Sequence, residues 1–276
     1  MTEDRLIGAF LGLAIGDALG ATLEFAPRDT HPLVTEMVGG PWNMPPGGWT
    51  DDTSMALCLA ESLLAHPEFD TRDLMNRFVN WWRWGYKSHT GACFDIGATT
   101  QTALQKYELS GEPLAGSTDP ASAGNGSIMR LAPVALAFHR DPERAKHIAA
   151  AQSATTHGAQ ECLDACRDLC GILIAEAEGR RSVTSDLSRD QVRSTGYVRH
   201  TMEAAAWAVA TTDSFADAVI AAVNLGDDAD TVGAVAGQIA GARYGAASIP
   251  QSWRDALLWR EEIESLAKRL ISLKPT

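Results

Sequence analysis

The chain has 276 residues, 23 of them Lys or Arg and 35 Asp or Glu, for a formal charge of −12. That deficit of cations excludes a protein that wraps duplex nucleic acid, because such affinity rests on clustered Lys and Arg set against phosphates. With 45% apolar and 21% charged residues the composition is that of a folded globular protein with a substantial core, which excludes bulk disorder.

Thr2 can cap a first helix running to about Gly20. Its longest apolar run, Ile7 to Ile15, is far short of the roughly 20 residues that cross a bilayer, so no membrane insertion is expected. Glu3, Asp4 and Asp17 around that run do not make a secretory signal. Five cysteines, an odd number, do not make a disulfide framework, and a cytoplasmic location is expected. Asp51 or Asp52 opens a second helix with Met55, Leu59 and Leu63 on one stripe, and Asp70 or Thr71 a third with Leu74, Phe78, Trp81 and Trp82 inward. The tryptophan run that ends at Trp84 is mostly core, with one ring at the surface. Further helices are expected near 97–109, 127–138, 142–155, 159–178, 200–211, 214–224, 231–246 and 253–272. Only 192–198 has strand character, so the fold is expected to be all-α. No linker, charge block or solenoid repeat interrupts the chain, which predicts a single domain over 1–276.

Gly8, Gly12, Gly16 and Gly20 recur every fourth residue, as do Gly233, Gly237, Gly241 and Gly245. Each helical glycine costs roughly 0.5–1 kcal/mol relative to Ala. Chance in an Ala- and Gly-rich chain is one reading. The other is a flat stripe on which a second backbone lies, so that these helices cross neighbours, or each other, at short distance. Cys162, Cys166 and Cys170 share one helical face, a spacing that suits an apolar core stripe better than zinc.

Two segments concentrate hard oxygen ligands at helix starts: Trp49-Thr50-Asp51-Asp52-Thr53 and Gly226-Asp227-Asp228-Ala229-Asp230-Thr231. Asp and Thr are common N-caps, and one such cluster alone reads as capping. Two matching clusters, if the fold joins them, supply enough oxygens for a pair of Mg²⁺ or Mn²⁺ ions. Gly124-Asn125-Gly126-Ser127 before an apolar helix reads either as a plain turn or as a cradle of N–H donors for a pyrophosphate.

These motifs, with Gly12 to Gly20, Glu24, Asp95-Ile96-Gly97, Gly124 to Arg130 and Thr156-His157, resemble the ADP-ribosylglycohydrolase family in order and spacing from about residue 5 to about 245. Within it the likeness is greatest to the bacterial dinitrogenase-reductase-activating glycohydrolases. The resemblance implies an all-α, single-domain orthogonal helical bundle with a dinuclear metal cleft. It also implies hydrolysis of the N-glycosidic bond between ADP-ribose and arginine of a modified protein. Two other outcomes stay open: another ADP-ribose linkage, serine-linked or in a small-molecule conjugate, and a non-catalytic ADP-ribose-binding member. Carried over by motif, Thr50, Asp51, Asp52, Asp228, Asp230 and Thr231 would ligate two divalent cations, Mg²⁺ or Mn²⁺. Glu24 and Asp95 would be catalytic, Glu24 near the ribose or a metal-bound water. Ser122, Gly124, Asn125, Gly126, Ser127, His157 and Tyr197 would contact substrate. The implied partner is an arginine-linked ADP-ribosylated protein or ADP-ribose. Asp95 also reads as a cap for the helix near 97–109, His157 as a helix-dipole contact and Tyr197 as a core aromatic. Asp227 and Ala98 depart from the family pattern, where Gly and Asn often stand.

Overall fold

The computed structural model describes residues 2–273. Within them the helices are α1 (Glu3–Gly20), α2 (Asp51–Ala65), α3 (Thr71–Trp84), α4 (Ala98–Ser110), α5 (Ala132–Phe138), α6 (Pro142–Ala154), α7 (Gln160–Ala177), α8 (Val198–Ala210), α9 (Phe215–Val223), α10 (Ala229–Tyr244), α11 (Gln251–Ala256) and α12 (Arg260–Ile271). No sheet forms among the described residues. The expected strand at 192–198 is irregular backbone with one isolated bridge, Tyr197 to Gly124, and α8 starts at Val198.

Three further expectations are corrected. The helix predicted over 127–138 is a series of turns until Ala132. The one predicted over 253–272 is two helices, broken at Leu257–Trp259, where Trp259 takes φ 56°. Thr2 occupies the N-cap of α1 without a side-chain cap, although its carbonyl accepts from the Arg5 and Leu6 amides. Asp70 does cap α3, accepting from the amides of Arg72 and Asp73. Trp81 is buried, Trp82 is half-buried under the Arg83 guanidinium and Trp84 is 79% exposed.

The glycine stripes explain the centre of the molecule. α1 and α10 run antiparallel: a Cβ on Gly8 would strike the carbonyl of Gly241, one on Gly12 that of Gly237, one on Gly16 that of Gly233, and one on Gly20 that of Ala229. Two backbones this close gain dispersion contacts along four turns, which offsets the helix-propensity cost of glycine. α1 also packs against α2, α5, α7, α9 and α12, so it is apolar on every side. The stretch Glu3–Leu23 has the length and apolarity of a membrane span, more than the run Ile7 to Ile15 alone suggests, yet 89% of its most apolar window is buried inside the protein. The antiparallel register has one functional consequence. It sets the C-terminal end of α1, with Asp17 and then Glu24, against the N-terminus of α10.

Candidate active site

The starts of α2 and α10 meet. Thr50 Oγ1 lies 3.1 Å from Asp230 Oδ2, and Thr231 Oγ1 lies 3.5 Å from Asp52 Oδ2, joining segments some 180 residues apart. Thr50, Asp51, Asp52, Asp230 and Thr231 are all buried.

Neither cluster is there as a set of caps. The N-cap positions of α2 and α10 are Thr50 and Asp228, and neither makes a side-chain cap. The free amides are taken by two carboxylates arriving from the α1 side. Asp17 accepts from the Thr50 and Thr53 amides at 2.9 and 3.0 Å and from both threonine hydroxyls. Glu24 Oε2 accepts from the amides of Ala229 and Asp230 at 3.1 and 3.4 Å. Capping in trans releases Asp51, Asp52 and Asp228 for other work. Asp17 is fully buried, and motif reading passed over it as a site residue because its only sequence signal is a charge inside an apolar helix.

The electrostatics of this cluster call for a cation. Burial, and then the charge of Asp230, push the Asp17 carboxyl up to about 7 and those of Asp51 and Asp52 well above the carboxylate range. Glu24 is driven up by burial and then by Asp230, while Asp95 rises to about 10 through burial and then the Asp51 charge. Asp52 Oδ1 is buried with no hydrogen-bond partner among the described residues. Oxygens of Glu24, Asp228 and Asp230 lie within 4.8 Å of one another. A set of hard oxygen donors with an orphaned carboxylate oxygen fits a divalent cation.

Beside the cluster opens a cavity of about 790 Å³. Asp51, Asp228, Asp230, Thr231, Glu24 and Asp95 reach it, together with Gly124, Asn125, Gly126 and His157, whereas Thr50 and Asp52 lie behind its wall. Asp95 is not a helix cap: the N-cap of α4 is Gly97, and Asp95 itself sits in left-handed backbone, φ 61°. Asp227 also takes a left-handed conformation, φ 55°, where glycine would be unstrained, and its backbone pairs with Phe25 and Ala26 at 2.8 and 2.7 Å. Ala98 lines the cavity but offers no polar group.

The turn Gly124–Ser127 does not open a helix, since α5 starts at Ala132, so no helix N-terminus faces the cavity there. The N–H groups of Gly126 and Ser127 nevertheless donate to no protein acceptor among the described residues. The Asn125 side chain donates to Asp228 Oδ2 at 2.6 Å and to Thr201, so it positions a carboxylate. His157 packs under Gly124 and Gly126, bonded to the Thr156 hydroxyl, and burial lowers its pKa to about 3, leaving it neutral. Below the turn Arg130 is fully buried against Gln152, Thr156 and Met55, over the Phe78 ring.

Three expected substrate contacts fall outside the cavity. Ser122 lines an adjoining pocket and donates to the Asp119 carbonyl. Ser127 is buried against Ser153 and Cys166. Tyr197 turns away to donate to Glu161, leaving its neighbour Gly196 on the wall. The cysteine stripe is buried core, with Cys162 and Cys166 packed behind the turn. Sequence reading missed Phe25, Thr100, Met129, Ser194 and Thr195 as lining residues, because proximity between distant segments leaves no local signature.

A family model described as ADP-ribosylglycohydrolase matches residues 1–189 and 172–276. The ADP-ribosylarginine hydrolase Tri1 of Serratia proteamaculans (strain 568) is 43% identical across 99% of this chain and 80% of its own length. The ADP-ribosyl-[dinitrogen reductase] glycohydrolase of Rhodospirillum rubrum is 35% identical across 95% of this chain and 93% of its own. A solved structure titled "ADP-ribosylglycohydrolase-related protein complex" superposes with a TM-score of 0.84 at 43% identity, covering 98% of this chain and 97% of that one.

Proposed function

The chain belongs to the ADP-ribosylglycohydrolase family, and from that premise we propose that it hydrolyses the N-glycosidic bond between ADP-ribose and an arginine guanidinium of a modified protein. The observation that carries this reading is the convergence of two Asp/Thr helix starts with Glu24 and Asp95 on one cavity, in a chain so similar over its length to ADP-ribosylarginine hydrolases.

Thr50, Asp51, Asp52, Asp228, Asp230 and Thr231 would hold two divalent cations, Mg²⁺ or Mn²⁺, and Glu24, grouped with Asp228 and Asp230, joins that donor set. When bound, such cations lower the pKa of a water and offset charge developing at the anomeric centre. Asp17 orients the Thr50 and Thr53 hydroxyls, and Asn125 orients Asp228, so the donors are held before substrate arrives. Asp95 accepts the guanidinium in bidentate fashion, a pairing that holds the carboxylate ionised against the rise described above. The unpaired amide of Gly126, which lines the cavity, receives the pyrophosphate, a placement supported by its freedom from protein acceptors. Neutral His157 supports that turn from below. The five free thiols suit a reducing, cytoplasmic compartment.

Incubation with arginine-, serine- and aspartate-linked ADP-ribosylated substrates, with each metal and with chelator, tests the reading. Release of ADP-ribose from the arginine-linked substrate alone, and only with metal, is expected. Preference for another linkage, or full activity in chelator, overturns it.

A further inference from the structure

The cavity mouth carries a second feature that the hydrolytic groups do not use. Two of the acids that line the cavity are each followed or preceded by an aromatic residue: Glu24 by Phe25, and Asp95 by Phe94. The Trp42 ring bridges those two aromatics, 5.8 Å from Phe25 and 5.5 Å from Phe94. Phe94 in turn meets His89 at 5.8 Å, and His89 meets the fully buried Trp49 at 4.9 Å, so the rim is anchored to the core. Its outer rings are nonetheless in water: Phe25 is 66% and Trp42 is 42% exposed.

The backbone is strained to achieve this. Phe25 and Trp42 take φ 63° and 60°, left-handed conformations that bulky side chains avoid. Burying the Phe25 and Trp42 rings would gain free energy, so two exposed, anchored aromatics in strained backbone point to an occupant.

We propose that the Phe25–Trp42–Phe94 rim is the docking surface for the polypeptide segment that carries the modified arginine. This rests on the arginine-hydrolase reading above and names how its substrate is held. Phe25 belongs both to the cavity wall and to the rim, so the two surfaces are continuous. A side chain delivered into the cavity past Glu24 and Asp95 leaves its own backbone lying across these rings. Charge decides the character of that segment. Exposed aromatic faces on a chain of net charge −12 favour Arg or Lys beside the modified residue, through cation–π contact and long-range attraction. Because the rings are held against one another and, through His89, against Trp49, little side-chain freedom is lost on docking.

The test compares two substrates with the metal-loaded protein: free ADP-ribosylarginine, and a peptide with one ADP-ribosylated arginine between lysines. Trp42→Ala is expected to lower kcat/KM for the peptide about tenfold, through KM, and to leave kcat/KM for free ADP-ribosylarginine unchanged. Trp42→Phe should restore most of the loss. Equal losses on both substrates, or none on either, overturn the docking surface. Failure of the unaltered protein to cleave either substrate overturns the arginine-hydrolase reading instead.

Discussion

Asp52 shows how a single side chain reports on what the site is for. Its Oδ1 is buried and unpartnered among the described residues, and the surrounding carboxylates repel it. Asp52→Asn removes a charge from a crowded acidic cluster, so the chelated variant should melt above the chelated parent. It should also lose most of the melting-temperature rise expected for the parent with Mg²⁺ or Mn²⁺. A metal-induced rise equal to the parent's would show that Asp52 is no ligand. Asp95 makes a different prediction. Asn tolerates the left-handed backbone at φ 61°, so Asp95→Asn should fold normally and lose only the charged acceptor. Losing a hydrogen bond to a charged group costs about 1.5–3 kcal/mol, so kcat/KM on arginine-linked ADP-ribose should fall roughly ten- to a hundred-fold. Affinity for free ADP-ribose should stay constant in calorimetry. If it falls equally, Asp95 supports the ligand site generally.

Among the elements, α1 and α10 carry the clearest consequence. Gly12→Ala and Gly237→Ala each drive a methyl into the carbonyl of the facing helix, and a backbone cannot step aside as a side chain can. Overpacking typically costs about 1–3 kcal/mol, and these substitutions should lie at or beyond the upper end. Gly171, inside α7, is the control: its nearest obstacle is Lys146 Cε at 3.5 Å, so Gly171→Ala should stabilise by about 0.5–1 kcal/mol. Chemical denaturation of the three variants reads the contrast, and equal effects would refute the backbone seam. The same seam holds Asp17 beside the start of α2 and Glu24 beside that of α10, so folding energetics and site geometry share one interface.

At the scale of the whole molecule, two kinds of carboxylate give opposite responses to pH. Glu176 on α7 is buried, which raises its pKa, but two hydrogen bonds from Arg243 on α10, at 2.9 and 2.8 Å, hold it below the usual range. Its contribution is present above the ordinary carboxylate pKa and lost as pH falls. Glu176→Gln leaves the Arg243 charge buried and should cost about 3–5 kcal/mol at neutral pH. A loss below 1 kcal/mol would mean that the pair is dispensable. The acidic cluster behaves in the reverse sense. Asp17 and Asp228 are raised from 3.8 to about 7, chiefly by burial and then by Asp230, so without metal the folded state loses stability as pH rises through that interval. A cation relieves the repulsion and competes with protons for the same oxygens. The melting-temperature gap between metal-loaded and chelated protein should therefore widen from pH 5.5 to 7.5, and a constant gap would exclude the cluster as the binding site.

Most helix positions, the cap at Asp70, the two Asp/Thr clusters and both glycine stripes are legible in the chain itself, because each depends on neighbours within one or two turns. The family likeness added the order in which the motifs should meet. What local pattern cannot express is pairing across the fold. That Gly12 faces Gly237, that Asp17 and Glu24 cap helices other than their own, and that Ser122 and Tyr197 point away from the cavity are set by packing between distant segments. The break at Leu257–Trp259 has the same origin: Leu258 donates to the carbonyl of Gly47 and Trp49 donates to the Leu258 carbonyl, tertiary bonds that outweigh the helical propensity of the segment.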